Sequence, residues 1–141
     1  MNDCLFCKII AREIPGLTIY EDDSVLAILD IHPKALGHAM VLPKRHYRTI
    51  LDVPPGELGP IFAAVQMVVA AEEKSLRPDG FTIGVNHGEV AGQAVPHLHI
   101  HVLPRFKGDG GGSIHSIVDK PGLGPIEETQ KKILEAIKGI K

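Results

Sequence analysis

The chain has 141 residues, of which 44% are hydrophobic and 23% charged, and its formal net charge at pH 7 is −2. This length suits one domain with its own core, and the small negative charge argues against nucleic-acid binding. The apolar runs are too short for a membrane span and the first residues lack the features of a signal peptide, so we expect a cytoplasmic protein that binds neither membrane nor nucleic acid.

The first third of the sequence predicts a short helix and three strands. Asp3 can cap a helix that ends at Ile10. β-prone runs follow at residues 17–20, 24–31 and 38–42. The short connections between these runs favour antiparallel pairing of the strands.

The longest helix is predicted from Glu57 to Leu76, where apolar residues recur every three or four positions. Two further strands are predicted at residues 81–85 and 97–103. The apolar stripe of the helix comprises Leu58, Ile61, Phe62, Val65, Val68, Val69 and Leu76.

The C-terminal part combines a loop with a helix. Residues 107–124 contain six glycines and predict a long loop without regular structure, and an amphipathic helix follows. The chain then has five strands and two substantial helices, which predicts a single α+β domain over residues 1–141, with residues 107–141 as the glycine-rich loop and helix. The apolar positions of the last helix are Ile126, Ile133, Leu134 and Ile137.

Three histidines, His97, His99 and His101, alternate with apolar residues in the last predicted strand. Alternate side chains of a strand share one face, so the three rings would lie side by side, with Cα atoms roughly 6.5–7 Å apart. Neutral imidazole can act as base, nucleophile or metal ligand near neutral pH. The residues themselves leave three interpretations open: a catalytic face, an inert polar face, or a metal site, which the strand spacing disfavours.

The same alternation is the signature of the histidine triad family, and the chain resembles the nucleotide-binding branch of that family over roughly residues 4–106. Residues 101–109 also resemble the branch that hydrolyses dinucleoside polyphosphates. The segments that carry the resemblance are Cys4–Ile10, Glu13–Pro15, Tyr20–Asp23, Leu26–Ile31, Gly37–His38, Val41–His46, Asn86, Gly92–Gln93 and His97–Arg105.

The resemblance implies a fold, an activity and an assembly. The family has a five-stranded antiparallel sheet with two helices, and its members usually form homodimers. They bind purine nucleotides of the AMP type and cleave at the α-phosphate through a covalent nucleotidyl-histidine. By this resemblance, His99 is the nucleophile and His101 hydrogen-bonds the phosphate or the bridging atom. The substrate is either an adenosine phosphoramidate or a dinucleoside polyphosphate.

The resemblance also assigns the nucleotide contacts. Asp30 matches the carboxylate that holds the ribose hydroxyls, and His38 matches a further histidine of the pocket. Asn86 and Gln93 match polar contacts to the phosphate or the leaving group. The simpler interpretation is that Asp30 ends a strand. The residues that match the apolar cleft around the base, and that would otherwise be core, are Leu5, Phe6, Ile9, Ile28 and Ile31.

Two positions depart from the family pattern, and one of them, Pro96 before the triad, removes a backbone donor near the site. The two branches often carry Ser or Thr after the glutamine, whereas this chain has Ala94. The missing hydroxyl could otherwise help to protonate an amine leaving group. The departure favours, as the alternative function, a nucleotide sensor or scaffold with little turnover.

A zinc site is the last expectation. Cys4 and Cys7 have the spacing of half a structural zinc motif. In family members with this cysteine pair, the other two ligands match His46 and His97, so the resemblance implies a structural Zn²⁺ held by these four residues. The alternative is a pair of partly buried thiols without metal.

Overall fold

The computed structural model describes residues 3–140, and the chain divides into two compact units, one that ends at Gly111 and one that begins at Gly112. The single-domain prediction over the whole chain therefore stays a prediction. The helices and strands are α1 (Leu5–Ile10), β1 (Thr18–Glu21), β2 (Val25–Leu29), β3 (Ala39–Pro43), α2 (Pro55–Leu76), β4 (Gly80–Gly84), β5 (Ile100–Arg105) and α3 (Ile126–Ile140), with single 3-10 turns at Ile50–Asp52, Glu89–Ala91 and Ile114–Ser116.

The first unit is built on one antiparallel sheet with the strand order β1-β2-β3-β5-β4. The five strands and the α+β class that the sequence predicts are confirmed. Strand β5 lies between β3 and β4 and pairs with both of them. The strand that carries His101 is therefore an inner strand of the sheet.

The two faces of the sheet bury different clusters. Helix α2 covers one face, where its residues Ile61, Val65 and Val68 pack with Ile100 and Val102 of β5. The opposite face holds Cys4 and Phe6 together with Leu26, Ile28, Met40 and Leu42. The alternation of residues 98–102 thus sends Leu98, Ile100 and Val102 to the α2 side.

Three details of the predicted helices are wrong. Cys4, not Asp3, caps α1, because the Cys4 sulfur accepts the backbone N–H of Cys7. Helix α2 begins at Pro55, two residues before the predicted start, where proline needs no backbone donor. Phe62, a member of the predicted apolar stripe, is 45% exposed.

The strand that carries the histidines is shorter at its start than predicted. It begins at Ile100 and continues to Arg105, so His97 and His99 precede the ladder. The physical reason is a turn before the strand, in which the N–H of His97 donates to Val95 O and the N–H of Leu98 donates to Tyr47 O. These donors are therefore used outside the sheet.

The second unit contains the predicted amphipathic helix. The loop predicted at 107–124 is not wholly irregular, since Ile114–Ser116 forms a 3-10 turn in which Ser113 Oγ accepts the N–H of His115. The apolar side chains of α3 are all exposed, among them Ile126, Ile133, Leu134 and Ile137. Within residues 3–140, none of the helices is both long and apolar enough to cross a membrane.

A buried carboxyl group lies between α2 and the segment that leads into β3. Glu72 is 5% exposed, and neither carboxyl oxygen has a hydrogen-bond partner among the described residues. Gly37 packs directly against it with φ of +84°, and a Cβ there would lie 2.8 Å from Glu72 Oε2. Burial raises the pKa of Glu72 to about 7. The apolar pattern of the helix gave no sign of this residue.

We expect Glu72→Gln to change how stability depends on pH. The unfolded chain releases the Glu72 proton near pH 4.5 and the folded chain near pH 7, so folding stability falls as pH rises through this window. Urea unfolding at pH 5 and pH 7.5 should show that wild type loses about 2 kcal/mol more than the variant over this interval. The control is Glu73→Gln, a substitution of the exposed neighbour, which should lose as much unfolding free energy between pH 5 and pH 7.5 as wild type does. An equal loss of unfolding free energy in Glu72→Gln and wild type would contradict the prediction.

Candidate active site

The three alternating histidines belong to two adjacent centres. His97 lies with the two cysteines and His46, whereas His101 lies with His38 and Asp30. His99 stands between them, with its ring centroid 4.9 Å from that of His101. This division contradicts the interpretation in which the triad shares one ion, because the turn before β5 directs His97 away from the other two rings.

The first centre is a compact group of two sulfurs and two imidazoles, which comprises Cys4, Cys7, His46 and His97. Its four donor atoms all lie within 4.8 Å of one another. The sulfur of Cys7 is 3.3 Å from His46 Nδ1 and 3.6 Å from His97 Nδ1, and the sulfur of Cys4 is 3.4 Å from His97 Nδ1. A tetrahedral zinc ion with ordinary bond lengths separates its sulfur and nitrogen ligands by about 3.6 Å. The donor set and its spacing therefore fit such an ion.

The protonation of this centre also fits a cation. His97 is fully buried, and its Nε2 is 2.8 Å from Pro43 O, which can only accept, so Nε2 carries the proton and Nδ1 offers its lone pair to the cysteines. Burial lowers the pKa of His97 to about 4. Burial, together with the adjacent Cys4, raises the pKa of Cys7 to about 11. Cys7 becomes a thiolate near neutral pH only beside a positive charge.

His99 has one ring nitrogen fixed and the other free. Its Nδ1 is 2.7 Å from His97 O, and because a carbonyl cannot donate, Nδ1 carries the proton and Nε2 has a lone pair. Phe6 packs edge-on against the ring, with centroids 4.9 Å apart. Burial lowers the pKa of His99. The ring is therefore neutral, oriented and nucleophilic at a defined atom.

His38 and His101 form a relay of hydrogen bonds that starts at the main chain. The N–H of Lys34 donates to His38 Nδ1 at 3.1 Å, so the proton of His38 is on Nε2. The Nε2–H of His38 donates to His101 Nδ1 at 2.9 Å, which places the proton of His101 on Nε2. Burial and the neighbouring histidines lower the pKa of His101 to about 4. The relay leaves His101 as a neutral ring with one N–H beside His99.

Asp30 completes the second centre. Its Oδ2 lies 3.6 Å from His38 Nε2, and its Oδ1 accepts the N–H of His32 at 2.9 Å. Asp30, His38 and His101 also bring their donor atoms within 4.8 Å of one another. Because His38 Nε2 and His101 Nδ1 already share a proton, a cation bound here would have to displace that proton. The arrangement of Asp30, His38 and His101 therefore favours hydrogen bonding over metal binding.

The apolar residues assigned to the base cleft occupy two environments. Phe6 and Ile28 are each 3% exposed and pack in one cluster, against which Ile9 also packs. Leu5 and Ile31 are 43% and 73% exposed. The first group forms a wall beside the histidines, and the second remains open to solvent. Their contact with a base stays a prediction.

Gln93 has a structural role that the sequence did not reveal. Its side-chain oxygen accepts the N–H of Gly88 at 2.9 Å, and its nitrogen donates to Arg48 O at 2.7 Å and to Val95 O at 3.2 Å. The amide thus ties the loop before the histidines to the segment after His46. Asn86 is exposed and lies beside Gly92. The predicted phosphate contacts of both residues stay predictions.

The main-chain groups of Lys34, Pro43 and His97 are the functional groups that sequence reasoning missed. Each one sets the tautomer of a histidine ring. A backbone N–H or carbonyl is present at almost every position, so a sequence carries no signal for which of them will act in this way.

Comparison with known proteins gives consistent matches. The profile of the HIT domain matches residues 11–108. A HIT-like protein of Methanocaldococcus jannaschii is 48% identical over 107 residues, which cover 76% of this chain and 82% of that protein. An adenylylsulfatase of Arabidopsis thaliana, HINT3, is 44% identical over 77% of this chain, and the match spans 55% of that protein.

Solved structures show the same similarity. A HIT family protein from Bacillus anthracis superposes with a TM-score of 0.87 at 35% identity, over 99% of each chain. A zinc-bound histidine triad family protein from Mycobacterium smegmatis superposes with a TM-score of 0.72 at 32% identity, over 99% of each chain. Sequence and structure comparisons therefore agree.

The tautomers of the four histidines are directly measurable. At neutral pH, ¹⁵N chemical shifts of the ring nitrogens should show His99 protonated at Nδ1, and His38, His97 and His101 protonated at Nε2, because each ring faces a main-chain group or ring nitrogen of fixed polarity. The exposed His115 should instead interconvert between both forms. A bare Nδ1 on His99 would contradict the assignment of its nucleophilic atom.

Proposed function

The chain belongs to the HIT domain family, and on that premise we propose that it cleaves or transfers an AMP-type group at the α-phosphate of a purine nucleotide, with His99 as the nucleophile. The observation that carries this proposal is the neutral His99 ring, whose Nδ1–H is held by the His97 carbonyl and whose Nε2 is left free. The name adenylylsulfatase, carried by a relative at 44% identity, supports hydrolysis of an adenylate.

The covalent step follows from the tautomer of His99. Its Nε2 lone pair attacks the α-phosphorus, and the bond from that phosphorus to the leaving group breaks. The positive charge that develops on the ring is stabilised through Nδ1–H by the His97 carbonyl at 2.7 Å. Water then attacks the phosphorus, and the bonding electrons return to His99 Nε2. This route divides one difficult displacement into two easier ones.

His101 stabilises the reacting phosphate. Its ring lies beside His99 and its Nε2–H is the donor that the Lys34–His38 relay leaves unused. A donor fixed in a partly buried site stabilises the charge on the phosphoryl oxygens without reorganising during the reaction. The roles of the two histidines are therefore nucleophile and electrostatic stabiliser.

The nucleoside contacts come from the residues on either side of the histidines. Asp30 accepts hydrogen bonds from the ribose hydroxyls, since a carboxylate can accept from two adjacent hydroxyls. The purine lies against Phe6, Ile9 and Ile28 of the buried wall, with the exposed Leu5 and Ile31 at the rim. A ligand would reduce the exposure of these two side chains.

The Cys4, Cys7, His46 and His97 centre holds a structural Zn²⁺ in this proposal. The fit of the donor set and the zinc-bound relative support it. When bound, the ion would cross-link α1 to the turn before β5, and the phosphate chemistry is assigned to His99 and His101. Cys4, Cys7 and His46 orient His97, and through the His97 carbonyl they orient His99.

A cytoplasmic location and a homodimer are further proposals for this protein. The resemblance to the histidine triad family, whose members usually form homodimers, supports the dimer.

Substitution of the nucleophile tests the main proposal. His99→Ala should reduce hydrolysis of adenylyl sulfate or diadenosine tetraphosphate by more than about 1,000-fold, since no other ring has a free lone pair at this point. Mass spectrometry of the quenched wild-type reaction should detect AMP attached to His99. The matched control is His115→Ala, an exposed histidine, which should retain wild-type turnover. AMP binding without turnover that depends on His99 would instead indicate a nucleotide sensor or scaffold.

Metal analysis tests the zinc proposal separately. Untagged protein should contain about one zinc ion per chain, and Cys4→Ser/Cys7→Ser should contain none and should melt several degrees lower, because α1 loses its link to His97. His115→Asn is the control for incidental binding by a surface histidine. Wild-type protein without stoichiometric zinc would contradict the site.

A further inference from the structure

The supply of protons at the site limits which substrates can react. A leaving group that departs from phosphorus takes the bonding electron pair with it. Oxygen of sulfate, phosphate or carboxylate holds this pair as a stable anion, whereas nitrogen of an amine or oxygen of an unactivated alcohol holds it only after gaining a proton. A site that lacks a proton donor therefore selects substrates by the stability of the departing anion.

The hydroxyl groups of the first unit are placed elsewhere. Among residues 3–111, five hydroxyl groups have partners away from the histidines. Tyr20 and Ser24 donate to Asp22, and Tyr47 donates to Glu57. Thr49 bonds within the turn at Thr49–Asp52, and Thr82 accepts from Arg105. Ser75 lies on α2, on the other face of the sheet. The remaining hydroxyl belongs to Thr18 in β1.

The sheet register places Thr18 far from the reacting atoms. Thr18 is opposite Ile28, Ile28 is opposite Met40, and Met40 is opposite His101. These pairs make three strand-to-strand steps of about 4.8 Å, so Thr18 lies roughly 14 Å from His101. Within residues 3–111, the structure therefore puts no hydroxyl group beside His99.

His101 is a poor acid because its ring is neutral, although its Nε2–H remains a hydrogen-bond donor. The relay fixes one proton on each ring, and His101 receives rather than gives a hydrogen bond at Nδ1. Loss of its remaining Nε2 proton would leave an imidazolate anion. With its pKa lowered to about 4 by burial, about one ring in a thousand is protonated at pH 7. The ring thus stabilises charge but does not deliver a proton.

Three basic side chains of the first unit are paired with carboxylates. Lys44 and Arg12 pair with Glu21, and Arg45 pairs with Glu57. The ammonium of Lys34 lies close enough to His38 to add to the effect of burial in lowering its pKa. Lys34 is exposed, so it is the rival source of a proton that an experiment must address.

From this arrangement we infer that the site cleaves nucleotides whose leaving group departs as a stable anion, namely mixed anhydrides of AMP with sulfate, phosphate or carboxylate, and discriminates against phosphoramidates and unactivated esters. The inference rests on the proposed function. His99 Nε2 forms its bond to phosphorus while the electron pair of the broken P–O bond leaves on the anion, and no proton moves. In the second step, water supplies the oxygen and its proton passes to solvent.

A pair of aryl esters of AMP tests the inference with one bond type. The p-nitrophenyl ester releases a stabilised anion and the phenyl ester does not. Without a general acid, kcat/KM should be at least ~100-fold higher for the first. Adenylyl sulfate and diadenosine tetraphosphate should be hydrolysed, and adenosine phosphoramidate should be at least ~100-fold slower than adenylyl sulfate.

Two variants assign any proton donor. His101→Gln should lower kcat/KM for both esters by the same factor, because a hydrogen-bond donor acts on both, whereas loss of a general acid would affect mainly the phenyl ester. Lys34→Gln should leave the ratio of the two esters unchanged. Similar kcat/KM for the two esters, a phosphoramidate as fast as adenylyl sulfate, or a ratio altered by either variant would overturn the inference and leave the proposed function standing. No turnover of any of these compounds by wild type would overturn both.

Discussion

The organisation of this protein depends on His97, a fully buried residue whose polar groups all have partners. Its ring nitrogen Nδ1 faces the two cysteines, its Nε2–H donates to Pro43, its N–H donates to Val95, and its carbonyl accepts from His99. A buried polar group left without a partner costs about 1–3 kcal/mol, so these contacts hold the turn before β5 in one geometry. One residue thereby connects the cysteine centre to the ring of His99.

This connection explains why two centres of different chemistry lie side by side. The cysteine centre has soft donors and suits a metal ion, whereas the centre of Asp30, His38 and His101 has ring nitrogens that share a proton and suits hydrogen bonding. His99 borders both, and Phe6 packs edge-on against the rings of His97 and His99. Because Cys4 caps α1 and the helix carries Phe6 and Cys7, fixing the N-terminal segment also fixes the wall beside His99.

The chemistry follows from main-chain groups as much as from side chains. The Lys34 N–H and the carbonyls of Pro43 and His97 each select one tautomer of a ring, and burial lowers the pKa of the rings so that they stay neutral. The proposed attack on phosphorus requires a neutral ring, and so does a fixed N–H donor. The same neutrality removes a proton source, so the proposed nucleophilic role of His99 and the inferred selectivity for the leaving group have one cause.

The sequence by itself determined the α+β class, the five strands, the family and the division of residues 98–102 between two faces, because these depend on local periodicity and on motifs. It also brought Cys4, Cys7, His46 and His97 together, but only by resemblance, since up to 93 residues separate them along the chain. Only the tertiary structure decided that His97 and His99 precede the strand, that Gln93 ties two loops together, and that Glu72 is buried beneath Gly37. It also decided the tautomers of the four histidines. Each of these depends on which distant main-chain or side-chain group packs against the residue, and periodicity along a chain specifies which way a side chain faces but not what it meets there.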